Sequence, residues 1–368
     1  MSKVNIFDST TVGALQVANR IAMAPLTRSR ADLSGNQTPL AAEYYRQRAS
    51  AGLLFTEATD ISRQGHGFAY TPGIYTDAHV AAWQPVTEAV HNAGGLIVLQ
   101  LLHVGRISHV SLQEHGQAPV APSAIQAGEQ IFSEKGPVPP SMPRALRIDE
   151  IPPLLDDYRS AARKAKTAGF DGVEIHMGNG FLLDQFLRDS TNHRDDSYGG
   201  SVQNRIRLPF EVARAVADVW GPDRVGVRLS PVKTSLGNTP LDSDPQATFG
   251  RLVEQLDVLG LAFIHCIEGD ALVGAAQARF DFHALRKAFS GSYIANGGYH
   301  KASAEKAILD GRADIVAFGR PFIGNPDFVE RIRRDAPLID APPSVYYGGG
   351  EKGYIDFPTL MTASTSPV

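Results

Sequence analysis

Short apolar runs recur along the chain, and a longer stretch with the apolar periodicity of an amphipathic helix follows each of them. Eight runs predict strands, and these are Ile21–Met23, Leu53–Thr56, Ile97–Leu101, Gly172–His176, Val225–Leu229, Phe263–Cys266, Tyr293–Ala295 and Ile315–Phe318. Thr38-Pro39 is typical of a helix N-cap followed by the first helical residue. Further helices are predicted at Ala78–Ala93, Pro152–Ala168, Gln203–Trp220, Ala247–Leu259, Phe282–Phe289, Ala302–Leu309 and Asp327–Arg334.

The alternation of strands and helices predicts an α/β protein with a parallel sheet, closed as a (β/α)8 or TIM barrel. A chain of 368 residues could hold two average domains, but barrels reach this size as one unit, so we predict a single domain over residues 1–368. The alternative is an open doubly wound sheet, which usually carries a Gly-rich dinucleotide loop after an early strand. The sequence has no such loop there, and the glycines of residues 348–353 follow no strand.

The strand–helix pattern breaks after the third strand, over residues 104–148, where Pro, Gly and Ser are frequent. A segment of this length without regular structure is uncommon inside a compact domain unless it has a function. We therefore predict an insertion that covers the barrel mouth. The alternative is a surface insertion without a chemical role.

Composition narrows the class of protein. Hydrophobic residues make up 43% of the chain and charged residues 20%, which is typical of a globular protein with a large core. A formal net charge of -4 without a dense Lys/Arg run argues against a nucleic-acid partner. Neither a signal peptide nor a membrane span is apparent, so we expect a soluble, cytoplasmic protein. Cys266 is the only cysteine, which excludes an intrachain disulfide and a multi-cysteine zinc site.

Active sites of barrels lie where strands end and βα loops begin. Gly297-Gly298 and Gly319-Arg320 follow the seventh and eighth predicted strands. Glycines let backbone N–H groups approach an anion, and Arg320 would add a positive charge, so this pattern indicates a phosphate site. Taken alone it does not distinguish a flavin from a sugar phosphate, and tight turns are the alternative.

His176 and Asn179 stand three residues apart at the end of the fourth predicted strand. Both can donate N–H groups towards one point, which suits a carbonyl or nitro oxygen. No third histidine or carboxylate cluster stands at matching spacing, so we predict no metal site. A structural histidine is the alternative for this pair alone.

Several long segments, in order along the chain, resemble the Old Yellow Enzyme family of FMN-dependent NADH:flavin oxidoreductases, which reduce activated alkenes. The segments are Asn19–Arg28, Ala42–Arg48, Gln100–Arg106, Ser190–Arg194, Tyr198–Ser201, Ala317–Arg320 and Tyr354–Leu360. The bacterial branch that reduces nitrate esters and nitroaromatics is especially similar. The resemblance implies an oxidoreductase with tightly but non-covalently bound FMN, a ping-pong mechanism, and NADPH or NADH as the electron donor.

The resemblance also implies which residues hold FMN at the barrel mouth. They are Pro25, Leu26, Thr27, Ala58, Gln100, His176, Arg228, Asn296, Gly297, Gly319, Arg320 and Tyr347. Thr27 would lie near the flavin C4 carbonyl, and Gln100 and Arg228 near the pyrimidine edge. A cation at Arg228 stabilises the negative charge of reduced flavin.

By the same resemblance, catalysis rests on His176, Asn179, Thr27 and position 181. His176 and Asn179 would bind the electron-withdrawing group of an α,β-unsaturated carbonyl or nitro compound. Most relatives have a proton-donating Tyr where this chain has Phe181. Three explanations are open: water or another hydroxyl donates the proton; the substrate, such as a nitrate ester, needs none; or the enzyme is a redox-neutral double-bond isomerase.

The substrate pocket, by resemblance, includes Phe68, Leu102, Leu236 and Tyr347, and three of these are smaller or less polar than in close relatives. This predicts a wide, apolar pocket for bulky enones in a monomer or homodimer. Two rivals remain. One is a non-flavin barrel enzyme, for which only Glu57 and Glu268 are candidate carboxylates, and the other is a catalytically weak flavin-binding protein, which Phe181 alone supports.

Overall fold

A computed structural model describes residues 4–233, 236–269 and 280–363. Its eight barrel strands, numbered β1 to β8, are Ile21–Met23, Leu53–Phe55, Ile97–Leu102, Gly172–Met177, Val225–Leu229, Phe263–Ile267, Ser292–Asn296 and Ile315–Phe318. Each strand pairs in parallel with the next, β8 pairs with β1, and β3 pairs with β4, so the barrel is closed. The predicted (β/α)8 barrel is confirmed, and the strand ends differ from the predicted ones by a residue at most.

The helices around the barrel also follow the predicted pattern. They are Pro39–Arg46, Asp77–Asn92, Ile151–Thr167, Val202–Arg205, Arg207–Trp220, Pro245–Asp257, Phe282–Lys287, Lys301–Leu309 and Phe328–Arg333, with shorter helices at Leu182–Leu187, Pro321–Gly324 and Leu360–Ala363. The predicted helix Gln203–Trp220 is two helices that meet at Ile206. Pro209 has no N–H to bond back into the first of them, which explains the break.

The strands bury two apolar layers. Alternate residues such as Leu99 and Ile175 face the helices, whereas Phe55 and Phe263 fill the barrel interior. An N-terminal hairpin of Thr10–Val12 and Leu15–Val17 joins this interior cluster. Apolar side chains therefore fill the barrel interior next to this hairpin.

The insertion after β3 contains short 3-10 turns, a parallel strand pair (Val120–Ala121 with Arg144–Ala145) and a hairpin (Ile131–Ser133 with Gly136–Val138). Its apolar residues, Ile107, Leu112, Ala127 and Ile131, form one buried cluster with Ala58, Leu102 and Phe181, which follow or end β2, β3 and β4. The insertion therefore packs against residues that end or follow these three strands. None of the helices in the described ranges combines the length and apolar character needed to cross a bilayer.

Candidate active site

A cavity of about 970 Å³ opens at the carboxyl ends of the barrel strands. Its wall contains eight of the predicted cofactor and substrate residues, namely Pro25, Leu26, Asn179, Arg228, Asn296, Gly297, Gly319 and Arg320. The barrel therefore brings together residues that are about 300 positions apart in the chain.

The wall also contains residues that the sequence analysis did not name, including Lys233, Ile267, Gly269, Tyr299 and Leu338–Asp340. Lys233 and Tyr299 follow β5 and β7, so the strand-end rule could have found them. Leu338–Asp340 follow the last barrel helix, where no strand ends, and the sequence carries no signal for them.

The predicted phosphate loop after β7 has an unusual backbone. Gly297 and Gly298 have φ values of 124° and 71°, which side-chain-bearing residues rarely adopt. A Cβ on Gly297 would lie 2.6 Å from the backbone N of Gly269, so the loops after β6 and β7 require a glycine there. A Cβ on Gly319 would approach only Leu26, at 3.4 Å. These glycines and exposed Arg320 form a small-residue cradle with a cation, which fits a phosphate group.

Arg228 is the buried cation of the cavity, with 7% of its surface exposed. Its Nη2 donates to Asn296 Oδ1 over 3.1 Å, but Nε has no hydrogen-bond partner among the described residues. Burial lowers the pKa of Arg228, whereas the nearby Glu174 carboxylate raises it. A buried guanidinium with an unused donor is costly unless an acceptor completes it, which fits the electron-rich pyrimidine edge of a flavin.

A polar chain lies beside Arg228 inside the barrel. Gln100 Nε2 donates to Glu174 Oε1 over 2.7 Å, and His265 Nδ1 lies 2.7 Å from Glu174 Oε2. All three side chains are buried, and Gln100 is the one that was predicted.

His176 and Asn179 lie together where β4 ends. His176 Nδ1 accepts from the Gly178 N–H over 3.3 Å, so Nε2 carries the hydrogen of the neutral ring. Asn179 Nδ2 lies 3.3 Å from this Nε2, which places two donor nitrogens side by side without an acceptor between them. The backbone makes this possible: Asn179 has a φ of 58°, and its N–H donates to Ser230 Oγ over 2.7 Å.

The environment keeps His176 neutral. Burial lowers the pKa of His176 well below 6.5, and the charge of Arg228 adds to this shift. His176 can thus donate a hydrogen bond at neutral pH but does not serve as a cationic acid. A substrate oxygen that accepts from both His176 and Asn179 would complete the two donors.

Phe181 lies directly against this pair. Its ring meets the His176 ring at 5.0 Å and 75°, and the Phe68 ring at 6.4 Å and 86°. Leu102 belongs to the same buried cluster. Two of the predicted pocket residues, Phe68 and Leu102, therefore form one apolar wall with Phe181 beside the two donors.

The remaining predicted residues differ in exposure. Tyr347 is 62% exposed and is not part of the cavity wall, although the next residue, Gly348, donates to the carbonyl of Arg28. Leu236 is 45% exposed. Thr27 is half-buried on the loop after β1, and Ala58 is buried beside the insertion.

Glu57 and Glu268, the candidate catalytic carboxylates of a non-flavin barrel enzyme, both accept hydrogen bonds from other residues of the protein. Glu57 is buried and accepts from the N–H groups of Arg28 and Ser29 and from Gln37 Nε2. Glu268 accepts from the hydroxyls of Tyr293 and Tyr299. In the part of the chain that the structure describes, no group of three or more His, Cys, Asp or Glu residues could hold a metal ion. These observations favour structural roles for both carboxylates.

Comparison with known proteins agrees with this geometry. Residues 5–338 match the model of the NADH:flavin oxidoreductase / NADH oxidase family. Putative 12-oxophytodienoate reductase 5 of Oryza sativa subsp. japonica is 45% identical over 354 residues, which cover 95% of this chain and 92% of that protein. 12-Oxophytodienoate reductase 2 of Arabidopsis thaliana is 42% identical over 361 residues, which cover 96% and 95%.

Solved structures are equally similar. Morphinone reductase has a TM-score of 0.93 at 46% identity, with 99% of each chain covered. A complex of morphinone reductase with tetrahydroNAD has a TM-score of 0.92 at 47% identity, covering 99% of this chain and 100% of that one. The Old Yellow Enzyme homologue from Zymomonas mobilis has a TM-score of 0.92 at 46% identity, covering 97% and 100%.

Proposed function

Because the chain belongs to the NADH:flavin oxidoreductase / NADH oxidase family, the Old Yellow Enzymes, we propose that it reduces activated C=C bonds with hydride from NAD(P)H. The protein is an NAD(P)H-dependent flavin oxidoreductase, and its cofactor is FMN. The substrates that we propose are α,β-unsaturated carbonyl and nitro compounds. Residues 1–368 would form one FMN-binding domain that takes donor and acceptor in turn at the same mouth.

The convergence of two donors at His176 and Asn179 carries the proposal. Their N–H groups would bind the carbonyl or nitro oxygen of the substrate, where negative charge builds up as hydride reaches the β-carbon. The chemistry that bound FMN would supply is transfer of hydride from the nicotinamide to that carbon. A neutral His176 suits this role because it donates a hydrogen bond without adding a second cation beside Arg228.

FMN would lie over residues that suit its phosphate, its ring system and its pyrimidine edge. Gly297, Gly319 and Arg320 would hold the phosphate, and Pro25, Leu26 and Ala58 would line the ring system. Arg228 would face the pyrimidine edge with Gln100 and stabilise the charge of reduced flavin. The unused Nε donor of Arg228 supports this placement.

Phe181 bears on the proton that completes alkene reduction. Its ring, 6% exposed in an apolar cluster, cannot donate a proton to the α-carbon. We propose that water or another hydroxyl supplies this proton, or that preferred substrates such as nitrate esters need none. Isomerisation is the second candidate function, and the same residue favours it, because return of the hydride would need no added proton.

The apolar wall of Phe68, Leu102 and Phe181 supports bulky hydrophobic enones as substrates. Two similar proteins, 12-oxophytodienoate reductase and morphinone reductase, are named for oxo compounds. We expect a higher kcat/KM for bulky enones than for 2-cyclohexenone, and equal values would contradict this preference.

Anaerobic stopped-flow spectroscopy tests the function. The purified protein is expected to hold a yellow flavin, to be bleached by NADPH or NADH, and to be reoxidised by 2-cyclohexenone. His176→Ala should retain FMN but be reoxidised about 10²–10³-fold more slowly, because one oxyanion donor is lost. The matched control is His103→Asn, a change at a buried histidine that has no proposed role in binding substrate or cofactor.

Two outcomes would contradict the proposal. Reoxidation of His176→Ala at the wild-type rate would exclude the donor role of His176. Deuteride transferred from labelled NADPH should be retained in a saturated product, and an isomerised product without net reduction would establish the isomerase instead. A protein that takes up no flavin would overturn the whole assignment of the cavity.

A further inference from the structure

Glu174 is a buried carboxylate that the proposed chemistry does not use. It lies in the middle of β4 with no surface exposed, and it is not part of the cavity wall. Its Oε1 accepts from Gln100 Nε2 on β3, and its Oε2 is 2.7 Å from His265 Nδ1 on β6. Glu174 therefore joins three barrel strands just beneath the mouth.

The barrel sequence leaves room for this link. Glu174 on β4 pairs with Gly226 on β5. Two residues later on β5, nearer the mouth, Arg228 pairs with His265 on β6. A Cβ at Gly226 would lie 2.2 Å from the Phe263 ring, so this position of β5 carries no side chain. The absence of a side chain on β5 at this level allows Glu174 to contact β6.

The directions of these hydrogen bonds determine how the side chains of Gln100 and His265 are oriented around Glu174. Glu174 accepts one of the two N–H groups of the Gln100 amide and so fixes the directions in which the amide oxygen and the second N–H point. His265 must donate from Nδ1 to the carboxylate, and burial lowers the pKa of His265, so the ring is neutral. The negative charge of Glu174 is thus not cancelled by a charged histidine.

The positive charge of Arg228 lies beside the carboxylate of Glu174. Arg228 is buried, and burial lowers its pKa. The Glu174 carboxylate is close enough to oppose part of this shift. Reduction of FMN by one hydride adds two electrons and one proton, so the reduced ring gains one negative charge. Arg228 favours that charge and Glu174 opposes it, and both act where burial weakens solvent screening.

We propose that Glu174 sets the reduction potential of bound FMN, by fixing the Gln100 amide and by partly offsetting the positive charge of Arg228. This inference rests on the proposed placement of FMN over Gln100 and Arg228. Glu174 is a positioning residue, since it acts through Gln100 and through its charge. It keeps the potential lower than Arg228 alone would, and so makes the reduced flavin a stronger hydride donor.

The experiment is a dye-coupled redox titration of the FMN-loaded wild type and Glu174→Gln. Glu174→Gln is isosteric and removes the charge, so its reduction equilibrium should shift about tenfold towards reduced FMN, or about 30 mV more positive for a two-electron couple. The matched control is Asp171→Asn. Asp171 lies just before the same strand, at the other end of the barrel, where Oδ2 accepts from the Ile97 N–H over 2.7 Å. Its potential should equal that of the wild type.

A Glu174→Gln potential that is unchanged or more negative would overturn the inference, as would an equal shift in Asp171→Asn. If Glu174→Gln does not fold, Glu174→Asp decides. It keeps the charge but shortens the reach to Gln100 and His265, so a smaller positive shift is expected, and a wild-type potential in the folded variant would overturn the proposal. Failure of the ene-reductase function would be visible separately, in wild type that binds no FMN or is not reoxidised by any enone.

Discussion

The ring of Phe181 meets the imidazole of His176 edge to face, with the ring centroids 5.0 Å apart. Residue 181 is therefore adjacent to the proposed substrate donors, and its side chain decides whether a hydroxyl is present there. The insertion after β3 encloses the ring in an apolar cluster, which includes Leu112 and Ile131. The chemistry of alkene protonation should thus be sensitive to this one position.

Phe181→Tyr should accelerate reoxidation of the reduced enzyme by 2-cyclohexenone. The new hydroxyl would supply a positioned general acid, for which about 10²–10⁴-fold is typical when protonation limits the rate. Stopped-flow reoxidation rates of the two proteins provide the measurement. A nitrate ester is the control substrate, because its reduction needs no α-carbon proton and its rate should change little. Equal enone rates in both proteins would show that protonation at position 181 is not limiting.

The two phosphate-loop glycines should respond differently to alanine. At Gly319 the new methyl group would approach only Leu26, at 3.4 Å, so the fold should tolerate it while the space for a phosphate shrinks. At Gly297 a φ of 124° and a 2.6 Å contact with the Gly269 backbone forbid the side chain. Gly319→Ala should therefore lower the affinity for FMN and leave the melting temperature of the apoprotein unchanged. Gly297→Ala should lower both the affinity for FMN and the melting temperature.

Fluorescence titration with FMN and thermal melts of the apoproteins distinguish these results. Gly311→Ala serves as a control for the backbone effect, because Gly311 has a φ of 68° and open space around it but is not part of the cavity wall. It should destabilise the protein modestly and leave FMN affinity unchanged. Wild-type affinity in Gly319→Ala would remove Gly319 from the phosphate site.

Arg28 connects the first active-site loop to the C-terminal segment. It is fully buried, and its guanidinium donates to the carbonyls of Val345, Tyr346 and Gly353 over 2.8–3.0 Å. It also lies 5.0 Å from the centre of the Tyr44 ring. Arg28→Met would keep most of the volume but leave three carbonyls without this donor, so a loss of about 3 kcal/mol in unfolding free energy is expected.

In Arg28→Met, the C-terminal segment should also open more readily, in addition to the loss of unfolding free energy. Exposed Lys352 lies inside the tethered segment, so trypsin should cleave after it sooner than in the wild type. Arg147→Ala is the control, since the Arg147 side chain is 65% exposed and pairs with nearby Asp149 and Glu150. Unchanged stability and cleavage in Arg28→Met would show that other contacts hold the segment.

Periodicity was sufficient to predict the barrel because each strand is a continuous apolar run. The predicted and observed limits of β5, Val225–Leu229, are the same. Tertiary links were not predictable in this way. Glu174 and His265 are 91 residues apart on non-adjacent strands, and only barrel closure brings them together. Ile339 reaches the cavity wall because its backbone bonds to the Asn325 side chain, a contact that no local pattern indicates.

His103 should make the protein less stable in mild acid. It is buried at the end of β3, its Nδ1 accepts from the Gly105 N–H over 3.1 Å, and burial lowers its pKa from 6.5 to about 3. Between these two values the unfolded chain binds a proton that the folded protein does not. The stability that depends on neutral His103 is therefore fully present above pH 6.5 and is lost as the pH falls towards 3, by about 1.4 kcal/mol per pH unit.

His103→Asn isolates this effect, because the Asn side-chain oxygen can accept from Gly105 N–H and does not titrate. Urea unfolding at pH 7 and pH 5 should show that the wild type loses about 2 kcal/mol more than the variant on acidification. Buried His176 and His265 also have lowered pKa values, but they are present in both proteins and cancel in the difference. Parallel pH dependences of the two proteins would mean that folded His103 takes up its proton near pH 6.5, which its enclosed position argues against.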